Sequence, residues 1–297
     1  MMKDGRRLGT AALATGTLGI SMSAVLNKTA LASGMHPVWL NVLRVGLAAL
    51  VMLPFFLGKP GAARALAGIS RRERLLTFAA GAMLAAHFVS WAAALQYADS
   101  VVVATIWSTY SLMTVIGSSL LLKERTPLPA LLGIVLAVAG VGVLMVGAGG
   151  PQPLGVVMAL CAAITQAVYT LCGRVARRRM DMLPYTMGVY TVALCCLLLC
   201  ALALRLPPAG ITRASAGSAL LLALLCTLGG HSMQNYALKY YKAPTVSTVM
   251  LTEVVTGPLL VLIFLGEAPK PASLIGGAVI VSGVAWYMAY EWRHSTP

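Results

Sequence analysis

The stretch ALKYYKAPTVSTVMLTEVVTGPLLVLIFLGEAPKPASLIGGAVIVSGV, Ala237–Val284, repeats without a gap the pattern of ALQYADSVVVATIWSTYSLMTVIGSSLLLKERTPLPALLGIVLAVAGV, Ala94–Val141. At an offset of 143 residues Ala94, Tyr97, Thr105, Thr109, Glu124, Gly133 and Gly140 meet identical residues at Ala237, Tyr240, Thr248, Thr252, Glu267, Gly276 and Gly283. Nearer the start of each half the offset becomes 147, matching GMHP at 34–37 to DMLP at 181–184. The chain therefore reads as two copies of one unit, 1–150 and 151–297.

Each copy reads as a membrane unit. With 59% hydrophobic and 10% charged residues, 297 residues cannot be wrapped in a single water-facing surface. Apolar runs near the ~20 residues that a bilayer asks of a helix recur at 8–32, 36–58, 75–97, 100–122, 128–148, 153–173, 182–204, 217–238, 244–266 and 271–290. The expected fold is an all-α membrane protein of ten transmembrane helices. Five spans per copy is an odd number, so the second copy enters from the opposite face as an inverted repeat. Such a pair points to a secondary transporter working by alternating access, with its site between the halves near the midplane.

The net charge of +14 is spread over the loops instead of gathered into a groove for phosphates, so nucleic acid is excluded as a partner. Alternate loops place 17 of the 22 Lys and Arg on one side, against Lys28, Arg205, Arg213 and Lys270 on the other, with Arg44 inside a span. The positive-inside rule then sets both termini in the cytoplasm. The first apolar run follows the basic MMKDGRR and exceeds a signal-peptide core in length, so it reads as the first span.

All six cysteines fall inside apolar spans without disulfide or C-x-x-C metal spacing, so they read as packing residues, and neither metal nor cofactor is implied. No H-E-x-x-H, clustered carboxylates or G-x-S-x-G appears, so a polytopic membrane enzyme is a remote alternative. Gly133 with Gly140, and Gly276 with Gly283, stand seven apart on one helix face, where small residues let backbones approach in lipid.

Polar residues at helical spacing mark the inward faces. His87 and Trp91 share one face; Trp107, Tyr110, Ser111 and Thr114 share another. Gln166, Tyr169 and Thr170 do the same on the sixth span, as do His231, Gln234 and Asn235 on the eighth. Such faces either bond to other helices or line a wet cavity, and their recurrence in both halves points to a cavity. Methionines such as Met22, Met113 and Met250 can repack around varied guests. Glu253 is the one acid at membrane depth, and Arg44 the one cation. A charge there costs on the order of 3 kcal/mol. Three roles stay open for the pair: structural, a substrate-cation site, or a proton carrier that couples transport to a proton gradient. Gly257 and Pro258 follow Glu253, and Pro258 removes the hydrogen bond to the Val254 carbonyl, which marks either a static kink or a hinge.

HPVWLNVLRVGLAAL (36–50), with Arg44 in its Leu-Arg pair, LLLKE ending at Glu124 and FLGE ending at Glu267 resemble the spans of EamA-type drug/metabolite transporters over nearly the whole chain. Glu253 stands where that family often has Glu-Pro, followed here by Val254, with Ser111 at the matching place in span four and Ile20 where a first-span tryptophan is common. The resemblance implies export of small metabolites through a bacterial inner membrane, with neutral and aromatic amino acids as the expected substrates. Efflux of cationic drugs is the alternative.

Overall fold

A computed structural model describes residues 2–124, 126–145, 152–266 and 271–294; Arg125, Glu267 and Lys270, used above, lie outside them. Among the described residues ten long helical segments follow one another: α1 (Arg7–Leu31), α2 (Pro37–Gly58), α3 (Arg71–Tyr97), α4 (Val102–Leu122), α5 (Leu128–Met145), α6 (Pro153–Arg177), α7 (Met182–Ala203), α8 (Arg213–Ala237), α9 (Ala243–Leu265) and α10 (Pro271–His294). No strand occurs among the described residues. Eight are long and apolar enough to cross a membrane; in α5 and α10 the qualifying apolar stretches are shorter, Leu128–Gly140 and Ala278–Tyr290.

Local chemistry sets the helix ends. Ser70 opens α3 with a capping box, its Oγ accepting from Glu73 N (3.2 Å) while Glu73 Oε2 accepts from Ser70 N (2.8 Å). Pro37, Pro153 and Pro244 occupy first-turn positions of α2, α6 and α9, where a missing N–H costs nothing. Gly266 closes α9 with φ +70°, a left-handed conformation that suits glycine.

The packing is two-fold. α3 lies on α6 and α1 on α8; α4 lies on α6 and α9 on α1; α7 lies on α3 and α2 on α8. Each contact thus recurs five helices later, while α2 with α7, α4 with α9 and α5 with α10 pair across the axis. Leucines and phenylalanines such as Phe55, Leu57, Leu199 and Leu202 face outward, exposed by 65–78%, where lipid tails solvate them as well as a core would.

α5 and α10 meet through their glycines. A Cβ on Gly133 would stand 2.8 Å from Gly283 O, and one on Gly140 2.8 Å from Gly276 O. The glycines seven apart therefore face each other across the axis, first of one helix to second of the other.

Two repeat-related helices are interrupted at matched positions. α4 breaks at Thr109 and α9 at Leu251–Thr252. In each the threonine Oγ1 donates to the carbonyl three residues back, Thr109 to Ile106 O (2.7 Å) and Thr252 to Val249 O (2.8 Å). Gly257 and Pro258 lie inside the continuous segment Glu253–Leu265, so the interruption of α9 precedes Glu253 instead of following it. A hydroxyl that shares a backbone carbonyl accompanies each interruption.

Candidate functional site

A buried cavity lies where the two halves meet. α1 supplies Ile20 and Ser23, α2 Arg44, α3 His87, Phe88 and Trp91, and α4 Trp107 and Tyr110; from the second half come Gln166 of α6, His231 and Gln234 of α8, and Met250 and Glu253 of α9. At the 143-residue offset four of these positions pair with four others: Phe88 with His231, Trp91 with Gln234, Trp107 with Met250, and Tyr110 with Glu253. The cavity therefore straddles the pseudo-two-fold axis, but its two walls differ. The first half offers rings; the second offers amide, imidazole, thioether and carboxyl groups.

The ring wall is ordered. Trp107 stacks on Tyr110 (4.5 Å between centroids) and meets Trp91 edge-on (5.4 Å). Tyr110 OH donates to Ser247 O (3.0 Å), pinning α4 to α9. His87 Nδ1 lies 3.0 Å from Ala162 O. A carbonyl only accepts, so Nδ1 carries the proton and Nε2 is the acceptor of the neutral ring. His231 sits edge-on to Phe88, 5.0 Å away.

Arg44 is 2% exposed; its Nε donates to Thr227 Oγ1 (2.7 Å) and its guanidinium carbon stands 3.7 Å from the Phe88 ring centroid. This is a cation–π contact in a desolvated place. Tyr190 OH donates to Thr227 O (2.9 Å), steadying that acceptor residue. Glu253 is 6% exposed. Arg44 and Glu253 line one cavity, yet among the described residues no ion pair of 4.0 Å or less joins them.

Polar atoms without protein partners concentrate here: Trp91 Nε1, Trp107 Nε1, Gln166 Oε1, His231 Nδ1 and Glu253 Oε2. The large majority of buried side-chain polar atoms have a partner in protein or ordered water, and these five face one cavity. The present space is small, ≈ 10 Å³ counted at water centres, about one water. A larger guest requires the lining side chains to move apart. Met250 sits beside the α9 break and accepts from Thr17 Oγ1 through Sδ (3.3 Å).

Of the residues singled out in the sequence, His87, Trp91, Trp107, Tyr110, Gln166, His231, Gln234, Arg44 and Glu253 are brought together at the cavity. Ser111, Tyr169 and Asn235 are not. Ser111 Oγ is 3.3 Å from Ser247 Oγ and joins α4 to α9; Asn235 Nδ2 donates to Tyr169 OH (2.7 Å) and joins α8 to α6. Gly257 and Pro258 also lie away from the lining. Sequence reasoning missed Ser23 and Phe88. The repeat offset held the signal for Phe88, since it pairs with His231. No group of three or more His, Cys, Asp or Glu arranged for a metal occurs among the described residues.

The EamA-like transporter family model matches residues 7–146 and again 153–289, one match per half. No curated protein matches the chain. One solved crystal structure superposes with a TM-score of 0.74 at 20% identity, covering 97% of this chain and 99% of that one, a likeness of fold. The two family matches span nearly all of the sequence in the order the internal repeat requires, and the chain belongs to the EamA-like transporter family.

Proposed function

We propose that the protein is a secondary transporter of a bacterial inner membrane that exports small amphipathic zwitterions, neutral and aromatic amino acids, by alternating access. In this reading two five-helix units, 1–150 and 151–297, cross the membrane ten times with both termini in the cytoplasm. The observation that carries the substrate class is the division of the cavity: an aromatic wall beside one cation and one carboxyl that are not spent on each other. An α-carboxylate matches Arg44 and the indole N–H donors, an α-ammonium matches Glu253 Oε2 and Gln166 Oε1, and an apolar side chain matches Trp107 and Tyr110. Mostly apolar walls with a few converging polar groups are the usual construction of small-molecule sites.

The test is uptake of labelled phenylalanine, leucine and a cationic dye into liposomes holding only this protein, with and without a pH gradient. Saturable movement of the amino acids is the expected result, and stimulation by the gradient would add protons as the coupling ion. Movement of the dye and of no amino acid would overturn the reading in favour of cationic drug efflux.

Trp107→Ala tests the aromatic wall separately. Loss of a ring that stacks on Tyr110 and abuts Trp91 should change the preference between phenylalanine and leucine by about tenfold, within the range that pocket shape commands for apolar groups. Competition assays in the same liposomes would read it, and an unchanged preference would remove Trp107 from the substrate wall.

A further inference from the structure

We infer that the seam between α6 and α8 is the gate that closes the cavity toward the end of the bundle bearing the basic loops, and that Arg174 and Arg177 lock it. This rests on family membership and not on which solute is carried.

The seam is laced from the cavity outward. Gln166 Nε2 donates to Gln234 Oε1 (3.5 Å), and Gln234 Nε2 to Thr170 Oγ1 (3.3 Å). Next comes the bond from Asn235 Nδ2 to Tyr169 OH. At the outer end Arg177 Nε donates to Asn235 O (3.0 Å) and Arg174 Nη1 to Leu238 O (2.7 Å). These carbonyls belong to the end of α8, where unsatisfied C=O groups and the helix dipole both favour a cation. Arg177 is 1% exposed, a burial that transport chemistry in the cavity does not explain. Its Nη1 also donates to Met180 O.

Arg174 is held by Glu124, whose Oε1 accepts from Arg174 Nε (2.8 Å) and from Arg178 Nη2, while Ser118 Oγ donates to Oε2 (3.1 Å). Burial acts to raise the affinity of this carboxyl for its proton, but Arg174 and the donors outweigh it and hold Glu124 below the ordinary carboxylate range. Glu124 is thus a positioning residue: it aims the arginine that grips α8.

Among the described residues, the counterpart seam, α1 against α3, shows no side-chain rung equivalent to those from Gln166, Gln234 and Asn235. Aligning the cavity residues Ile20 and Gln166, 146 apart, sets Ala24 against Thr170, Lys28 against Arg174 and Leu31 against Arg177. On α3 the 143-residue offset sets Trp91 against Gln234 and Ala92 against Asn235. One seam is therefore bonded along its length, whereas the other sets Ser23, Ala24, Lys28 and Leu31 where the first has Tyr169, Thr170, Arg174 and Arg177. Gln166 and Gln234 belong at once to the cavity lining and to the first rung. A guest that takes their amides competes with the rung, which links occupancy to opening.

A cysteine at Leu238 reports on the seam. The residue is buried, and a Cβ on Gly173 of α6 would stand 2.9 Å from its Cδ1, so its side chain lies between the helices. With the six native cysteines replaced by serine, Leu238→Cys in purified, detergent-held protein should react slowly with a water-soluble maleimide. Adding Arg174→Gln and Arg177→Gln should speed labelling about tenfold, the scale of lost charge-assisted hydrogen bonds. Adding Tyr169→Phe alone should speed it about threefold, the scale of one neutral bond. Leu95→Cys, the counterpart on α3, should not label faster in either background. Equal rates at Leu238→Cys with and without the substitutions, or a parallel rise at Leu95→Cys that signals general loosening, would overturn the gate. If the arginine variant fails to assemble, the Tyr169→Phe comparison decides alone.

Discussion

Replacing Gly283 by leucine should deprive the protein of its assembled state. A Cβ at this position would stand 2.5 Å from both Ala137 N and Gly133 O, atoms of the α5 backbone that cannot step aside as a side chain can. Overpacking a well-filled contact costs ~1–3 kcal/mol and occasionally more, and here the obstruction is main chain, so the upper end applies. In lipid no hydrophobic gain offsets the separation, because tails solvate the parted helices equally well. Size-exclusion behaviour in detergent and the thermal unfolding midpoint would report it. Gly142→Leu is the control, since nothing lies within 4 Å of a Cβ added there. An assembled Gly283→Leu protein of normal midpoint would show that α5 and α10 are not held by this contact.

Arg44→Met and Glu253→Gln should invert substrate preference in opposite directions while the fold persists. In the proposed reading Arg44 meets a carboxylate and Glu253 an ammonium, each through charge-assisted bonds of ~1.5–3 kcal/mol, which corresponds to about 10- to 100-fold in affinity. Arg44→Met should therefore lose phenylalanine by that factor and keep phenethylamine, which lacks the carboxylate. Glu253→Gln should lose phenylalanine and keep phenylpropionate, which lacks the ammonium. Among the described residues no ion pair of 4.0 Å or less joins the two side chains, yet each lies in the other's field, so the double variant measures how far the two effects couple. Competition in liposomes gives the affinities. Equal losses of all three compounds in both variants would return Arg44 and Glu253 to a structural role, and a variant that loses only its response to a pH gradient would make Glu253 a proton carrier.

Several features of the cavity were legible because they depend on chain-local rules. Helical spacing put His87 with Trp91 and His231 with Gln234 on single faces, and the 143-residue offset predicted that Tyr110 and Glu253 occupy equivalent places. The cavity contains all six of these residues. Other features depend on what covers a face. Tyr169 and Asn235 read the same way in sequence as Gln166 and Gln234, yet bond to each other across the seam instead of lining the cavity. Nothing within α6 or α8 distinguishes these positions, because the difference is set by the distance between two helices some 60 residues apart in the chain.

By itself the sequence determined a membrane-embedded helical chain built from two related units, because apolar length and an internal repeat are properties of the chain that no packing can alter. It also determined which residues must face inward, since a polar side chain against lipid is too costly wherever the helix finally sits. Only the tertiary structure decided that α9 breaks before Glu253, that Arg44 rests on Phe88 apart from Glu253, and that one of two related seams is bonded along its length. These outcomes hang on contacts between the halves, where repeat-related positions carry different side chains. The backbone symmetry is shared by both copies, and the chemistry that breaks it appears only when the two walls are brought face to face.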